Sequence, residues 1–519
     1  MTLCLLALSV WCRADSQESG KRPNIVIVYA DDLGFGDVQC YNKQRGMIPT
    51  PNIDALAAAG MRFTDAHSSS GVCSPSRYTL LTGRYHWRTR LQRGIVGLWG
   101  KPVIHSDRLT LGGLVRKRDY RTFCIGKWHL GWNWPIDSTE NSYFQTGGYG
   151  GKKDIVASAS HRSAWARVFS QAIPGGPTAV GFDEYFGVDV PNWPPYCFIE
   201  GDRTLGIPTE FAAAKLFAKN QASVQGPALA EWSLEPILPE LGNRAVEVIE
   251  REAKSDDPFL IYLSLTSPHT PLSVNESWKG KSGLGLYADF VMETDALVGR
   301  VIGSLAEQGI ANETLVLFTS DNGCAPYIGV EALERKGHYP SGPLRGYKSD
   351  VWEGGHRIPF IVRWPEVISP GNVYRGLIHQ ADLMATFADI LGLQLAPNAG
   401  EDSFSFYSVL KGDEQGAVRE HSVSCSIQGL PSFRSGLWKY IPGQGSGGWT
   451  KGEDASKIQL YDLSSDLSET RNLAAENPER VASMASLFET IINDGRSRPG
   501  PKQLNEVDVV RFPAEKNRL

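Results

Sequence analysis

Four strand-like runs of mainly apolar residues constrain the fold of this chain most strongly. They are Asn24–Ala30, Arg121–Ile125, Phe259–Leu265 and Thr314–Thr319. Runs that do not alternate with polar residues are typical of parallel strands covered on both faces by helices. Helical patterns lie between them, at Pro51–Ala59 and Tyr287–Gln308. This order predicts an α/β fold with a large, mostly parallel sheet sandwiched by helices.

Each of these four runs leads into side chains that can bind ions or transfer protons. These side chains are Asp31, Asp32, Lys127, His129, His269, Asp321 and Asn322. Taken singly, such residues more often form turns or helix caps. Because ligands of open α/β sheets bind beyond the carboxyl ends of the strands, the repeated pattern favours a single functional site.

The charge composition excludes two classes of partner. The 519 residues carry 57 acidic and 52 basic side chains, a net charge of −5, without a basic tract. A balanced chain has no general attraction to nucleic acid or to anionic membranes, so any anion must bind locally. We therefore expect no nucleic-acid partner.

Residues 1–14 resemble a secretory signal peptide. An apolar stretch of about ten residues, too short to span a bilayer, is followed by the small residue Ala14. No later segment reaches the ~18 uninterrupted apolar residues of a membrane helix. The sequence thus predicts a secreted or periplasmic protein without a membrane span.

Eight cysteines occur without a Cys-x-x-Cys pair. This spacing disfavours zinc-knuckle and thioredoxin-type sites, although one or two disulfides could form after export. Cys73 opens the segment Cys73-Ser-Pro-Ser-Arg77, in which Pro75 predicts the first turn of a helix. A lone cysteine is usually a small buried hydrophobe, so its surroundings decide its role.

The order and spacing of these motifs resemble the type I, formylglycine-dependent sulfatases of the alkaline phosphatase superfamily. Within this family the chain is similar to arylsulfatases and N-acetylgalactosamine-6-sulfatases. The resemblance extends over residues 22–500 and rests on Cys73–Arg77, Leu81–Arg84, Gly126–His129, Pro268–His269, Asp321–Gly323, Leu344–Lys348 and Glu353–Gly355, with Asp31 and Asp32 before them.

The resemblance implies that a maturation enzyme oxidises Cys73 to Cα-formylglycine, whose hydrated aldehyde is the nucleophile. The catalytic residues it implies are Cys73, Arg77, Lys127, His129, His269 and Lys348. His269 would protonate the leaving alkoxide, and His129 would take a proton from the sulfated hemiacetal. The three cations would neutralise the sulfate oxygens.

The same motifs predict a metal site. Its ligands would be Asp31, Asp32, Asp321, Asn322 and an oxygen of modified residue 73. An all-oxygen set favours Ca²⁺, with Mg²⁺ as the second choice, and disfavours zinc. The predicted function is a sulfuric ester hydrolase acting on a sulfated carbohydrate or aryl sulfate. The alternatives are a phosphoester or phosphonate ester hydrolase of the same superfamily and a non-catalytic sulfated-glycan-binding protein.

Several segments bear on the substrate. Where many relatives carry a sulfate-contacting serine, this chain reads Gly187–Asn192, so Asp189 or Asn192 would take that place. We also expect His356 and His379 to line the pocket. The segments Ser138–Val180 and Trp193–Tyr196 are either surface insertions or substrate-recognition loops. A sugar sulfate is the leading substrate class, since aromatic side chains stack on sugar rings.

The chain changes character near residue 412. We predict a catalytic domain over 22–412, a small C-terminal α+β domain over 413–505 and a tail over 506–519. Predicted strands at His421–Ile427, Gly436–Ile441 and Gln459–Asp462 precede a helix at Pro478–Asn493. By resemblance, this domain packs on the main sheet and helps to wall the cleft.

Overall fold

The computed structural model describes residues 22–144, 150, 153–217, 222–413, 416–451 and 456–511. The predicted signal peptide and residues 512–519 of the predicted tail lie outside these ranges. Within them, no helix is both long enough and apolar enough to cross a membrane. The six cysteines from Cys40 onward are free thiols.

The described residues form sixteen strands and twelve α-helices. The strands are β1 Asn24–Ala30, β2 Met61–His67, β3 Arg121–Lys127, β4 Glu184–Val188, β5 Ile199–Glu200, β6 Arg203–Thr204, β7 Glu210–Phe211, β8 Pro227–Ala228, β9 Phe259–Ser264, β10 Thr314–Ser320, β11 Phe360–Arg363, β12 Asn372–His379, β13 His421–Cys425, β14 Pro431–Ser435, β15 Trp438–Ile441 and β16 Gln459–Asp462. The helices are α1 Pro51–Ala58, α2 Cys73–Thr82, α3 Leu111–Val115, α4 Asn141–Phe144, α5 Ala159–Phe169, α6 Ile237–Glu252, α7 Leu286–Glu307, α8 Val330–Arg335, α9 Glu353–His356, α10 Leu383–Ile390, α11 Tyr407–Leu410 and α12 Pro478–Asn493.

The large sheet is mixed, with the strand order β12-β2-β11-β10-β1-β9-β3-β4-β5-β6. The four strands predicted from the sequence are neighbours at its centre, and β10, β1, β9 and β3 run parallel. Antiparallel β11 separates them from β2, and β5 and β6 are antiparallel at the far edge. The predicted parallel core is confirmed, whereas the flanks make the sheet less uniformly parallel than expected.

The lack of alternation in β1 follows from its burial on both faces. Ile25, Ile27 and Tyr29 face one apolar core, and Val26 and Val28 face the other. Helices α6 and α7 cover the second face, while α2, α3 and α10 cover the first. The sheet is therefore sandwiched by helices, as the sequence predicts.

Strands β13–β16 form a separate antiparallel sheet, against which α12 packs. Its first strand hydrogen-bonds to the segment before Cys73. The Gly71 N–H donates to the Cys425 carbonyl at 2.9 Å, and the Cys425 N–H donates to the Ser69 carbonyl at 2.8 Å. The C-terminal sheet thus holds the backbone that leads into α2. The boundary near residue 412 remains a prediction.

The start of the predicted tail is also packed on the main body. Glu506 Oε1 accepts from Arg84 at 2.6 Å, and the Glu506 N–H donates to the Arg88 carbonyl at 2.8 Å. Arg84 and Arg88 follow α2, so residues near 506 brace the segment after this helix. This part of the chain is not a free tail.

A buried charge cluster joins the two sheets. It contains the acids Asp65, Glu353 and Glu469 and the bases Arg357, Arg434 and Lys439. Lys439 Nζ lies 3.0 Å from Glu353 Oε1 and 2.8 Å from Glu469 Oε1. Because three acids face three bases, the cluster balances its formal charge inside the protein. Burying charges is costly unless they are paired in this way.

Candidate active site

The predicted catalytic and metal-binding residues converge at the carboxyl end of the central strands. Asp31 and Asp32 follow β1, Lys127 ends β3, and Asp321 and Asn322 follow β10. His269 lies five residues beyond β9, in the next loop at this edge. Because β10, β1, β9 and β3 are parallel neighbours, their ends meet at one edge of the sheet. All of these side chains are buried.

Three carboxylates and three cations form the centre of this site. Lys127 Nζ lies 2.7 Å from Asp31 Oδ2, and Lys348 Nζ lies 2.6 Å from Asp32 Oδ2. Arg77 NH2 lies 3.0 Å from Asp321 Oδ2 and 3.4 Å from Asp31 Oδ1. The arrangement is neutral by formal charge. A bound divalent cation would give it a net positive charge, which suits an anionic ligand.

The donor set fits a hard cation. In the part of the chain that the structure describes, Asp31 Oδ1 and Asn322 Oδ1 are buried oxygens without a hydrogen-bond partner. The Asn322 amide donates to Asp32 Oδ1 at 2.8 Å, which fixes its orientation. One atom each of Asp31, Asp32, Cys73 and His269 lie within 4.8 Å of one another. Carboxylate and amide oxygens are the ligands that Ca²⁺ and Mg²⁺ prefer.

The carboxylate pKa values reflect this crowding. Burial, followed by the negative charge of Asp31, raises the pKa of Asp321 to about 7. Burial alone would also raise the pKa of Asp31, but Lys127, His269 and Arg77 hold it well below its usual range. A bound divalent cation would favour the ionised form of all three acids.

Cys73 is the first residue of α2, and its side chain is 2% exposed. Burial raises the pKa of its thiol to about 12, even though Lys127 and Lys348 oppose the rise. The thiol is therefore protonated at neutral pH, which makes it a poor nucleophile. Arg77 lies one turn later on the same helix, on the same face as Cys73, and contacts Asp31 and Asp321.

The two predicted histidines are both neutral at pH 7 in this arrangement. His129 has a left-handed backbone, with φ of 51°, and its Nε2 contacts the Val96 carbonyl at 3.1 Å. Burial and then Lys127 lower its pKa well below the usual range. His269 Nε2 lies 3.6 Å from Asp32 Oδ2, and its Nδ1 contacts the Thr270 carbonyl. Burial and then Lys348 lower its pKa to about 4.

The predicted substrate residues are placed differently. Asp189 accepts from the His129 N–H at 3.3 Å and from Trp132 Nε1 at 3.2 Å. It therefore stabilises the backbone of the segment that carries His129. Burial raises the pKa of Asp189 to about 6. The Asn192 amide donates to the Ala222 carbonyl at 2.8 Å, while its side-chain oxygen Oδ1 is buried without a hydrogen-bond partner among the described residues.

His356 lies in the buried charge cluster, which corrects the expectation that it lines the pocket. Its ring is 1% exposed, and its nitrogens contact His67 Nδ1 at 3.0 Å and the Val351 carbonyl at 3.0 Å. Because the protein already occupies both ring nitrogens of His356, this side chain has no free polar contact to offer a substrate. His379 is also buried, and its Nδ1 accepts from the Ala381 N–H, while its Nε2 lacks a hydrogen-bond partner among the described residues.

A second possible metal site is disfavoured by its surroundings. His67, Glu353 and His356 bring ligand atoms close together. However, Arg357, Arg434 and Lys439 surround Glu353. Glu353 Oε1 already accepts from Lys439 at 3.0 Å and Oε2 from Arg357 at 3.2 Å, so Glu353 has no unbonded carboxylate oxygen for a metal ion.

Sequence reasoning missed two residues that support the site. Ser264, the last residue of β9, accepts from Arg77 and donates to the Lys127 carbonyl at 2.7 Å. The Tyr29 ring lies 5.2 Å from the Arg77 guanidinium carbon. Both residues lie near the ends of predicted strands, and this position is the only feature of the sequence that places them near the site.

Comparisons with known proteins agree with this geometry. The Sulfatase family model matches residues 23–393. An N-acetylgalactosamine-6-O-sulfatase of Bacteroides thetaiotaomicron is 31% identical, over 92% of this chain and 94% of the relative. Human arylsulfatase A is 30% identical, over 90% of this chain and 87% of the relative.

A solved structure gives the same answer for the fold. It is the structure of a protein from a study of how Bacteroides thetaiotaomicron metabolises multiple glycosaminoglycans. It matches with a TM-score of 0.77 and 28% identity, over 91% of this chain and 99% of that chain. From the family match, these relatives and the site geometry, we conclude that the chain belongs to the sulfatase family of sulfuric ester hydrolases.

Proposed function

We propose that this sulfatase removes sulfate from a sulfated saccharide, using a formylglycine derived from Cys73 and a bound divalent cation. The observation that carries the proposal is the convergence of three carboxylates and three cations around residue 73. The 31% identical N-acetylgalactosamine-6-O-sulfatase supports a sugar substrate. We further propose that the protein is secreted or periplasmic.

The proposed nucleophile explains why a cysteine stands at this position. A thiol with a pKa near 12 stays protonated, so Cys73 itself is unsuited to attack sulfur. Oxidation of the side chain to an aldehyde, followed by hydration, gives two hydroxyl groups on one carbon. One hydroxyl loses its proton as its oxygen attacks sulfur, and the bond from sulfur to the sugar oxygen breaks while that oxygen takes up a proton. Deprotonation of the other hydroxyl then expels sulfate and restores the aldehyde, which water hydrates again.

Asp31, Asp32, Asp321 and Asn322 would hold the cation, with Ca²⁺ preferred and Mg²⁺ as the second choice. When bound, the cation supplies Lewis-acid neutralisation of negative charge on sulfate oxygens. The three carboxylates and three cations cancel before any ion binds. A divalent cation would therefore leave two positive charges to hold an anionic sulfate ester and the charge that develops during attack.

The protein cations have separate tasks in this scheme. Lys127 and Lys348 lie against Asp31 and Asp32, on the side of residue 73. Their ammonium groups can donate to the sulfate oxygens as negative charge shifts toward the leaving oxygen. Arg77 contacts Asp321, Ser264 and the Lys127 carbonyl, so it holds the loops in place.

The two histidines would transfer the protons. His269 has to become protonated before it can act as the acid for the leaving alkoxide. The negative charge of a bound sulfate ester would raise the pKa of His269 from about 4 and so favour its protonated form. His129 Nδ1 lacks a hydrogen-bond partner among the described residues, so it is free to accept the proton of the second hydroxyl.

Mass spectrometry of the active enzyme tests this proposal. The peptide that contains residue 73 should be about 18 Da lighter than the cysteine form, because a thiol has been replaced by an aldehyde. Cys73→Ser provides the matched control, since a serine at this position has no second hydroxyl on its carbon. Full activity with an unmodified Cys73 would refute the proposal. Parallel assays with 4-nitrophenyl sulfate and 4-nitrophenyl phosphate would distinguish a sulfatase from a phosphoester hydrolase.

A further inference from the structure

Two aromatic side chains stand out on the surface. Tyr327 is 45% exposed and Trp449 is 44% exposed, and no other aromatic residue in the described ranges is exposed to this degree. Their ring centroids lie 5.7 Å apart, with an interplanar angle of 47°. Tyr327 belongs to the main domain and Trp449 to the C-terminal sheet region. Exposed large aromatic groups in contact with each other often mark a binding surface.

The segments that carry these two residues are hydrogen-bonded to the loop that contains Lys348. The Trp449 N–H donates to Ser349 Oγ at 2.8 Å and to Asp350 Oδ1 at 3.1 Å. The Lys348 N–H donates to the Cys324 carbonyl at 2.9 Å, three residues before Tyr327. The aromatic pair therefore adjoins a cation of the active site.

The close approach of the Trp449 segment depends on a glycine. A Cβ atom built at Gly448 would lie 2.4 Å from Asp350 Oδ1 and 2.5 Å from the Ser349 carbonyl oxygen. No real Cβ contact is this short, so a side chain at residue 448 would push Trp449 away from the Lys348 loop.

The phenol of Tyr327 is close to the charges of the site. Burial raises its pKa, whereas the positive charge of Lys348 opposes the rise and the charge of Asp32 adds to it. Tyr327 thus lies close enough to Lys348 and Asp32 to sense their charges, while part of its ring remains exposed to solvent.

We propose that Tyr327 and Trp449 form a sugar-binding platform at the mouth of the active site. This inference rests on the proposed function, since it names the part of the enzyme that would hold the sugar. Aromatic faces stack on the apolar C–H faces of pyranose rings, and the phenol and indole N–H supply hydrogen bonds to hydroxyl groups. The sugar would lie beside the Lys348 end of the cleft, with its sulfate directed toward residue 73.

Paired kinetics on two kinds of substrate test the platform. The substrates are 4-nitrophenyl sulfate and a panel of 6-sulfated N-acetylgalactosamine, N-acetylglucosamine and galactose, as monosaccharides and in disaccharides. Trp449→Ala and Tyr327→Ala should each raise KM for the best saccharide about tenfold, a typical loss for one aromatic anchor. Trp449→Phe, which keeps an aromatic face, should recover most of that loss.

Activity on 4-nitrophenyl sulfate reports on the catalytic centre alone, so it should stay within about twofold in all three variants. Leu437→Ala is a matched control, because Leu437 is also an exposed apolar residue of the C-terminal sheet. It should behave as wild type on every substrate.

Three outcomes would overturn the platform. Equal losses on the saccharide and on 4-nitrophenyl sulfate would mean that the pair only supports the Lys348 loop. Unchanged saccharide kinetics in both alanine variants would mean that the rings do not touch the sugar. A wild-type enzyme that cleaves 4-nitrophenyl sulfate but no saccharide would refute the platform and the sugar substrate, while leaving the sulfatase chemistry intact. If neither substrate is cleaved, although residue 73 is modified, the proposed function fails together with the platform.

Discussion

Replacing Glu353 by glutamine should destabilise the protein far more than the same change at Glu469, although both acids contact Lys439. Glu353 is fully buried within the charge cluster. Burial alone would raise the pKa of Glu353, but Lys439, His67 and Arg434 hold it well below its usual range. Glu353 is therefore ionised at pH 7, and Glu353→Gln removes a full buried charge.

The magnitude follows from the partners that remain. Breaking a buried ion pair from one side typically costs about 3–5 kcal/mol. After Glu353→Gln, Lys439 keeps Glu469 at 2.8 Å, Arg434 keeps Asp65 at 3.2 Å and Arg357 keeps Asp65 at 3.3 Å. Because each cation retains one carboxylate, we expect the lower end of the range, about 3 kcal/mol.

Glu469 differs because it is partly neutral already. Burial raises its pKa from 4.5 to about 7, and the charge of Glu353 contributes to the rise. Glu469→Gln should therefore cost less than about 1 kcal/mol at pH 7. The folded state holds this proton more tightly than the unfolded state, so the contribution of Glu469 to the free energy of unfolding increases as pH falls from 7 to 5. The difference in stability between the wild type and Glu469→Gln should therefore shift in favour of the wild type over that range.

Urea unfolding followed by tryptophan fluorescence measures these differences. The comparison requires that the free energy of unfolding falls with urea concentration at the same slope in all variants. Glu476→Gln is the control, because Glu476 pairs with Arg471 on the surface at 3.0 Å. An exposed pair contributes at most about 1 kcal/mol. A cost below about 1 kcal/mol for Glu353→Gln, or equal costs at Glu353 and Glu469, would refute the reasoning.

Three further predictions concern the active site. A chelator should abolish turnover and Ca²⁺ or Mg²⁺ should restore it, whereas Asp321→Ala should stay inactive and should not bind the cation in calorimetry. Full turnover after verified metal removal contradicts the metal site. His269→Ala should lose ~10²–10⁴ in rate on a sugar sulfate but less on 4-nitrophenyl sulfate, while His129→Ala should slow both alike and accumulate a sulfate adduct at residue 73 in mass spectra. The opposite pattern would exchange their roles. Arg77→Lys should lower kcat at least tenfold in steady-state assays, because one ammonium cannot replace the contacts with Asp321 and Ser264. An unchanged kcat would exclude a positioning role for the guanidinium.

The centre of the fold could be predicted because its strands are buried on both faces. Such strands appear in the sequence as uninterrupted apolar runs, and β1, β3, β9 and β10 all lie within or close to their predicted bounds. The site could be predicted for the same reason, since its residues follow directly from these strands or from the Cys73 motif. Topology alone brings them together.

The rest depends on contacts that no local pattern contains. Strand β2 carries Arg62, Asp65 and His67, so its sequence does not resemble a buried strand. Strand β15 lies within the predicted strand Gly436–Ile441, but its Lys439 gives no sign of burial. Charged residues are normally exposed, and Asp65, His67 and Lys439 are buried only because the partners in the charge cluster come from distant segments. His356 directly follows the motif Glu353–Gly355, yet its ring contacts Lys439, which is 83 positions away.

The hydrogen bonds that Ser69 and Gly71 make with Cys425 can form only after Cys425 has been synthesised. Cys73 leaves the ribosome 352 residues before Cys425. At about 5–20 residues per second, this separation corresponds to roughly 20–70 s. Throughout that interval the backbone before Cys73 lacks its final partner strand, so the proposed oxidation of Cys73 would take place most readily then. Once β13 is in place, the same side chain is nearly sealed from solvent.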